Sequence, residues 1–229
     1  MKVIPIIPSL NPDYKLLVLV DELIKNDFDK IIIVDDGSAK KELFDELKNK
    51  KECVVLTHEV NKGKGCALKK AFKYYNDNFN NYYKGVITID SDGQHQVSDV
   101  VKISNILEDN DLFILGTRLF NTKETPLRNK TGNRITSMVF KWLYKVYLKD
   151  TQTGLRAIPN RLIDLHLNSF GERFEYEINA LIDLVKAKEK ILQIDIQTIY
   201  LENSNKNSHF NPFKDSYRIY KILFQRRKK

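Results

Sequence analysis

Cysteine is nearly absent: Cys53 and Cys66 are the only two in 229 residues, and no Cys-x-x-Cys pair occurs. A disulfide framework is therefore excluded, a reducing compartment is the expected setting, and both thiols are expected to be buried. Long apolar runs are missing too. The longest, such as LLVLV at 16–20 and IIIV at 31–34, fall far short of the roughly 20 residues that span a bilayer. The first residues, MKVIPIIPSL, carry one basic side chain and an apolar stretch cut by Pro5 and Pro8, which is not the anatomy of a secretion signal. A cytoplasmic protein is expected, with any membrane contact peripheral. No internal repeat or low-complexity segment stands out, and 42% hydrophobic with 30% charged residues disfavours a disordered polymer or a fibre. What the chain does have is an excess of 38 basic over 30 acidic residues, a net charge of +8, which favours phosphate-rich partners without identifying them.

The first 116 residues alternate β-branched runs with longer amphipathic stretches, the pattern of βαβ units burying a mostly parallel sheet between helices. Strands are predicted at VIPII, KIIIVD, CVVLTH, GVITID and LFILG, and helices over 14–26, 39–50, 64–78 and 97–109. Beyond Arg118 a polar loop precedes a helix over about 130–148, a Thr/Gly-containing segment, helices near 160–167 and 173–188, and a strand over 191–200. The expected organisation is a single Rossmann-like α/β domain over 1–212, followed by a basic amphipathic helix or tail over 213–229.

In an open parallel sheet, ligands collect beyond the carboxyl ends of the strands, where loops converge and helix N-termini aim their amides. Asp35 and Asp36 end the second predicted strand and Asp90 and Asp92 the fourth, so two carboxylate clusters should face one cleft. Asp90 and Asp92, two apart in an extended segment, share a face and suit a hard divalent cation that would hold a diphosphate. A solvated turn is the plain alternative. An EF-hand does not fit, because His95 stands where the loop needs Gly and Val101 where it needs a bidentate Glu.

Asn61-Lys62-Gly63-Lys64-Gly65 lies between a strand and a helix, where small residues let amides and a lysine approach a phosphate. It lacks the P-loop spacing, and Leu68 replaces the third glycine of a dinucleotide fingerprint, so triphosphatase and dehydrogenase readings lose support. Arg118, Arg128, Arg134 and Arg156 could fork onto a second anionic group. The four histidines have no metal-ligand spacing, and only His95, three residues past Asp92, is a site candidate.

The ordered set VDDGS (34–38), NKGKG (61–65), DSDGQH (90–95), GTR (116–118), GNRITS (132–137) and DTQTGLR (150–156) resembles a family 2 glycosyltransferase of the GT-A fold. The likeness is to the subgroup of dolichyl-phosphate mannosyltransferase and bacterial polyprenyl-phosphate glycosyltransferases, and it runs from Ile4 to about Tyr220. It implies that Asp35 and Asp36 meet the nucleoside, that Pro8 and its loop enclose the nucleotide, and that Lys62, Gly63, Asp90, Ser91 and Asp92 complete the donor site. Asp90, Asp92 and Gln94 would ligate Mg²⁺ or Mn²⁺. Arg118, Arg134 and Ser137 would lie where donor diphosphate and acceptor phosphate meet, with Asp150, Gln152 and Arg156 on the acceptor side. Leu10 and Pro12 stand where many relatives have Tyr and Glu.

The implied reaction is a metal-dependent, inverting transfer of a hexose from a UDP- or GDP-sugar to polyprenyl (undecaprenyl) phosphate, with Asp92, Arg118, Asp150 and Gln152 as its catalytic set. Relatives acting on hydroxyl acceptors commonly carry a Glu-Asp pair where this chain has Asp150-Thr151-Gln152, which points away from a glycan acceptor in surface-polysaccharide synthesis. Tyr217, Tyr220, Leu223 and Phe224 with the terminal Lys and Arg residues fit an anionic membrane surface at its inner face, or equally a solvated basic terminus. Outside this class, a phosphatase with Asp90 as nucleophile would want Thr where Gln94 stands. A non-catalytic binder of nucleic acid or other anions is disfavoured by the acidic cleft.

Overall fold

The computed structural model describes residues 1–119, 127–197 and 212–227. Seven strands form one sheet: β1 (Val3–Ser9), β2 (Ile31–Asp35), β3 (Cys53–Thr57), β4 (Gly85–Thr88), β5 (Phe113–Arg118), β6 (Arg156–Pro159) and β7 (Ile191–Ile196). Their order is β3-β2-β1-β4-β6-β5-β7, parallel throughout except that β6 runs against both neighbours. The helices are α1 (Lys15–Lys25), α2 (Glu42–Lys48), α3 (Lys64–Asn78), α4 (Val97–Asp109), α5 (Leu127–Tyr144), α6 (Ile163–Asn168), α7 (Glu175–Lys186) and α8 (Pro212–Arg227).

Period-two alternation divides the strands between two cores. Val3, Ile7, Ile31 and Ile33 face α1, α2 and α4, and α1 answers with Leu16, Leu19, Val20 and Leu23 at helical spacing. Ile4, Ile6, Ile32 and Val34 face the opposite layer, where Phe72 of α3, Phe140 of α5, Leu181 of α7 and Leu223 of α8 pack together. Buried on both faces, β1 and β2 read as continuous apolar runs. β1 keeps its central place even though Pro5 and Pro8, in register with Ile87 and Val34, each remove a ladder donor.

The predicted strands and helices of the first half are all present, but β6 falls in the stretch read only as a Thr/Gly-containing segment. Four residues, Arg-Ala-Ile-Pro, are too short and too mixed to show a period. The predicted strand over 191–200 is formed through Ile196, and its end lies outside the described residues. The helix expected within a basic tail, α8, packs through Ile219 and Leu223 into the core beside α5 and α7. It is pinned there by Arg226, whose Nη2 donates to Asp183 at 2.6 Å, and by the Tyr144 hydroxyl, which donates to the Leu223 carbonyl at 3.0 Å.

Both cysteines are free and half-buried rather than fully enclosed. Burial pushes the Cys53 thiol up to about 11, so it stays protonated and unreactive at neutral pH.

The junction of β4 with the reversed strand is tight. A Cβ on Gly85 would stand 2.3 Å from the Ile158 carbonyl oxygen, a backbone atom that cannot move alone. Gly85→Ala is therefore expected to destabilise the fold by about 1–3 kcal/mol, read as a lower urea midpoint with an unchanged slope.

Candidate active site

The strand order sets the place of the site. The chain adds β2 and β3 on one side of β1 and then crosses to β4 on the other, so a crevice opens beyond the carboxyl ends of these strands. Antiparallel β6, pairing Arg156 with Thr88, delivers the loop before it to the same rim. The result is a cleft of about 410 Å³. Asp36, Asp90 and Asp92 all line it, so one carboxylate of the first cluster expected from sequence meets both of the second.

Asp36 is held by three donors. The His58 ring lies 2.7 Å from its Oδ1, the Lys62 amide donates to Oδ1 at 3.0 Å, and the Gly63 amide donates to Oδ2 at 2.8 Å. These amides are spent on Asp36, which corrects the expectation that this loop offers them to a phosphate. A carboxylate has about four acceptor positions, which leaves Asp36 one for a ligand. Asp35 does not line the cleft: wholly buried, it accepts from the Ser38 amide at 2.8 Å and pairs with Lys41, fixing the turn instead. Lys62 is exposed outside the cleft, whereas Gly63 and Pro8 are in its wall.

Asp90 and Asp92 follow β4 in a turn rather than an extended segment, with the Gln94 amide donating to Asp92 Oδ1 at 3.1 Å. Ser91 and Gln94 line the cleft beside them. Lys64 Nζ, 2.6 Å from Asp90 Oδ1 and 2.9 Å from Glu177 Oε1, ties the start of α3 to the turn and to α7. Burial works to raise the Asp90 carboxyl, but Lys64 and His95, the latter 3.6 Å away, outweigh it and hold Asp90 well below the usual range. Asp92 is shifted the opposite way, raised by desolvation and by the charge of Asp90. Gly154 closes the arrangement, since a Cβ there would sit 2.3 Å from Asp90 Oδ2.

This donor set suits a hard divalent cation. Two carboxylates close enough to shift one another leave negative charge that a cation would relieve, and the side-chain carbonyl of Gln94, which lines the cleft, could add a third oxygen. Among the described residues no group of three or more His, Cys, Asp or Glu side chains is gathered for a metal. Two carboxylates completed by phosphate oxygens and water is the pattern Mg²⁺ favours.

On the opposite wall, Arg118 at the end of β5 forks onto Asp150, Nε at 2.6 Å and Nη2 at 3.0 Å. Asp150 is wholly buried and behind the cleft surface, and it also accepts from the Gln152 amide at 3.0 Å. Burial would raise its carboxyl, yet the Arg118 guanidinium prevails and holds it below the usual range. Arg118 and Gln152 line the cleft; Arg134, Ser137 and Arg156 do not. Arg134 is exposed on α5, and Ser137 is buried toward the Lys149 carbonyl. Arg156 is a buried clamp, donating to the Thr153 and Glu177 carbonyls at 3.0 and 2.7 Å. Among the described residues, then, Arg156 is engaged within its own loop, while Arg134 and Ser137 lie off the cleft wall.

Sequence reasoning missed Ser9, Lys15, Thr136, Arg173 and Glu177, all in the wall of the cleft. The Ser9 hydroxyl is buried with no partner among the described residues, which leaves it for a ligand. Ser9 lies beside Pro8 and Thr136 within GNRITS, whereas Lys15, Arg173 and Glu177 had no sequence signal.

Residues 6–170 match the family model described as "Glycosyl transferase family 2". A UDP-N-acetylglucosamine–dolichyl-phosphate N-acetylglucosaminyltransferase of Methanococcus voltae is 34% identical, over 87% of this chain and 86% of that protein. Glycosyltransferase AglJ of Haloferax volcanii is 23% identical, over 96% and 70%. Among solved structures, glucosyl-3-phosphoglycerate synthase of Mycobacterium tuberculosis, in complex with Mn²⁺, UDP and glucosyl-3-phosphoglycerate, superposes with a TM-score of 0.68. It shares 17% identity, covering 99% of this chain and 80% of that one, a likeness of fold. From the cleft and these relatives together, the chain belongs to glycosyl transferase family 2 and is a nucleotide-sugar-dependent glycosyltransferase of the GT-A fold.

Proposed function

We propose that the enzyme moves a sugar from a UDP-sugar to dolichyl or polyprenyl phosphate with inversion at the anomeric carbon. The observation that carries the reading is the meeting of Asp36, Asp90, Asp92 and Arg118 in one cleft. The name of the Methanococcus voltae relative favours N-acetylglucosamine as the sugar over the plain hexose expected from sequence. The UDP and Mn²⁺ named with the mycobacterial structure support a uridine donor and a divalent cation.

In this reading Asp36 and Ser9 hold the nucleoside side of the donor, and Asp90 and Asp92, with Gln94, are the cation ligands. A bound cation would neutralise the charge that gathers on the departing diphosphate. The acceptor phosphate oxygen forms the new bond to the anomeric carbon as the bond from that carbon to the diphosphate breaks, and UDP leaves. A phosphate is already ionised and needs positioning alone, whereas a hydroxyl acceptor needs a base. Asp150 is a poor base, because both its oxygens accept from Arg118 and it lies behind the surface. Lys15, Arg118 and Arg173 in the wall supply the positive charge an anionic acceptor requires.

Asp92→Asn is expected to lower kcat about 100-fold or more, assayed as transfer from UDP-N-acetylglucosamine to a polyprenyl phosphate with Mn²⁺; undiminished turnover would remove Asp92 from the cation site. Mild acid should release the sugar from the product, since a glycosyl phosphate is acid-labile, and an acid-stable product would mark a hydroxyl acceptor. Gly154→Ala should displace the Asp90 carboxylate and raise the Mn²⁺ concentration needed for half-maximal activity.

The Arg118–Asp150 pair also predicts an acid response. The folded-state value of Asp150 is depressed, so the folded protein binds fewer protons than the unfolded chain as acid is added. The pair therefore contributes stability above the ordinary carboxylate range and loses it as pH falls through the folded value. Asp150→Asn should cost about 3 kcal/mol at neutral pH and less in strong acid, compared by urea midpoints in both conditions.

A further inference from the structure

α5 and α8 lie side by side, and they share a second surface facing away from the core. Ile135, Met138 and Trp142, spaced on one face of α5, are 47%, 60% and 56% exposed, and Phe224 of α8 is 48% exposed. The Trp142 and Phe224 rings meet at 6.3 Å between centroids, and the Arg227 guanidinium lies 5.1 Å over the indole. Tyr147, also exposed, sits under Lys141 at 5.6 Å. Large apolar side chains in a contiguous exposed cluster mark an interaction site rather than ordinary surface.

Along the two helices the sequence is basic, with Lys149 paired to Asp195 and Arg226 to Asp183 and the other basic residues in excess. Residues 127–149 contain six Lys or Arg and no Asp or Glu, and residues 216–229 contain another six with no acid. A second copy of the chain would bring two such basic surfaces together and repel. An anionic lipid surface complements both features at once: aromatic rings settle at the headgroup level while lysines and arginines meet the phosphates. No helix among the described residues is long and apolar enough to cross a membrane, so this contact lies on the bilayer rather than in it.

We infer that the α5–α8 face, with Met138, Trp142 and Phe224 as its anchors, docks the enzyme on an anionic bilayer. The same two helices reach the cleft, α5 through Thr136 and α8 through Ile219, and Thr136 Oγ1 approaches the Tyr220 hydroxyl at 3.4 Å. Docking therefore sets the mouth of the cleft beside the membrane, where a lipid phosphate reaches the site with its hydrocarbon still in the bilayer. This use of the surface rests on the lipid-acceptor reading above.

Trp142 is the one tryptophan of the chain, so intrinsic emission reports this face directly. Vesicles containing about a third phosphatidylglycerol should shift the emission to the blue, neutral phosphatidylcholine vesicles should not, and added salt should reverse the shift. The double variant Met138→Glu/Phe224→Glu should sediment with the anionic vesicles about tenfold less well or worse. It should still fold by circular dichroism and still glycosylate a short-chain, water-soluble polyprenyl phosphate. No blue shift at low salt, variant binding equal to the parent, or a blue shift driven by protein concentration without lipid would each overturn the inference, the last in favour of a self-association face. Vesicle binding is measured without donor or metal, so failure of docking and failure of the transferase reading are separate results.

Discussion

Two carboxylates placed side by side in a cleft repel, and the structure around Asp90 and Asp92 is organised by that repulsion. Lys64 answers part of it, reaching Asp90 from the first turn of α3 while also holding Glu177 of α7. One ammonium thus ties together a helix from the first half of the chain, the turn after β4 and a helix from the second half. His95 stands behind the same carboxylate, and Gly154 keeps the space before it open. The raised Asp92 carboxyl is the part of the repulsion the protein leaves unanswered, and it is there that a cation would gain most.

The opposite wall follows the same logic with the signs exchanged. Arg118 is held in place at the cleft surface because Asp150, wholly buried, accepts both of its forked hydrogen bonds from behind. An arginine oriented in this way presents charge without having to reorganise as a ligand changes, the condition under which electrostatic stabilisation counts for most. Both walls are therefore built on ion pairs: Lys64 with Asp90, both lining the cleft, and Arg118 with Asp150, of which Arg118 alone lines it.

The first half of the fold was legible because β1 and β2 are buried on both faces and so read as unbroken β-branched runs, with helical periods between them. The Asp residues at the ends of β2 and β4 announced the cleft for the same reason, since acids following apolar strands need an explanation. The second half was less readable. β6 has four residues and no period, so nothing local disclosed that the chain reverses there, although the DTQTGLR motif had already pointed Gln152 to the site. Arg156 matches a motif yet serves the backbone of its own loop, a role that only the carbonyls of Thr153 and Glu177 reveal. Arg173 and Glu177 carry no local signature at all, because they reach the cleft from the turn before α7 and from α7 itself, which packs against α3.

The position of β6 has a mechanical consequence. Within the sheet, β5 and β7 are joined to the other four strands through this short element alone, by Ile114 with Ala157 and Leu115 with Arg156 on one edge and by Gly85 to Thr88 with Arg156 to Pro159 on the other. That line is a seam, and it runs between the strand that ends before Asp90 and the strand that ends in Arg118. Within the sheet, the gap between the wall that carries Asp90 and the wall that carries Arg118 is therefore set by the four residues of β6.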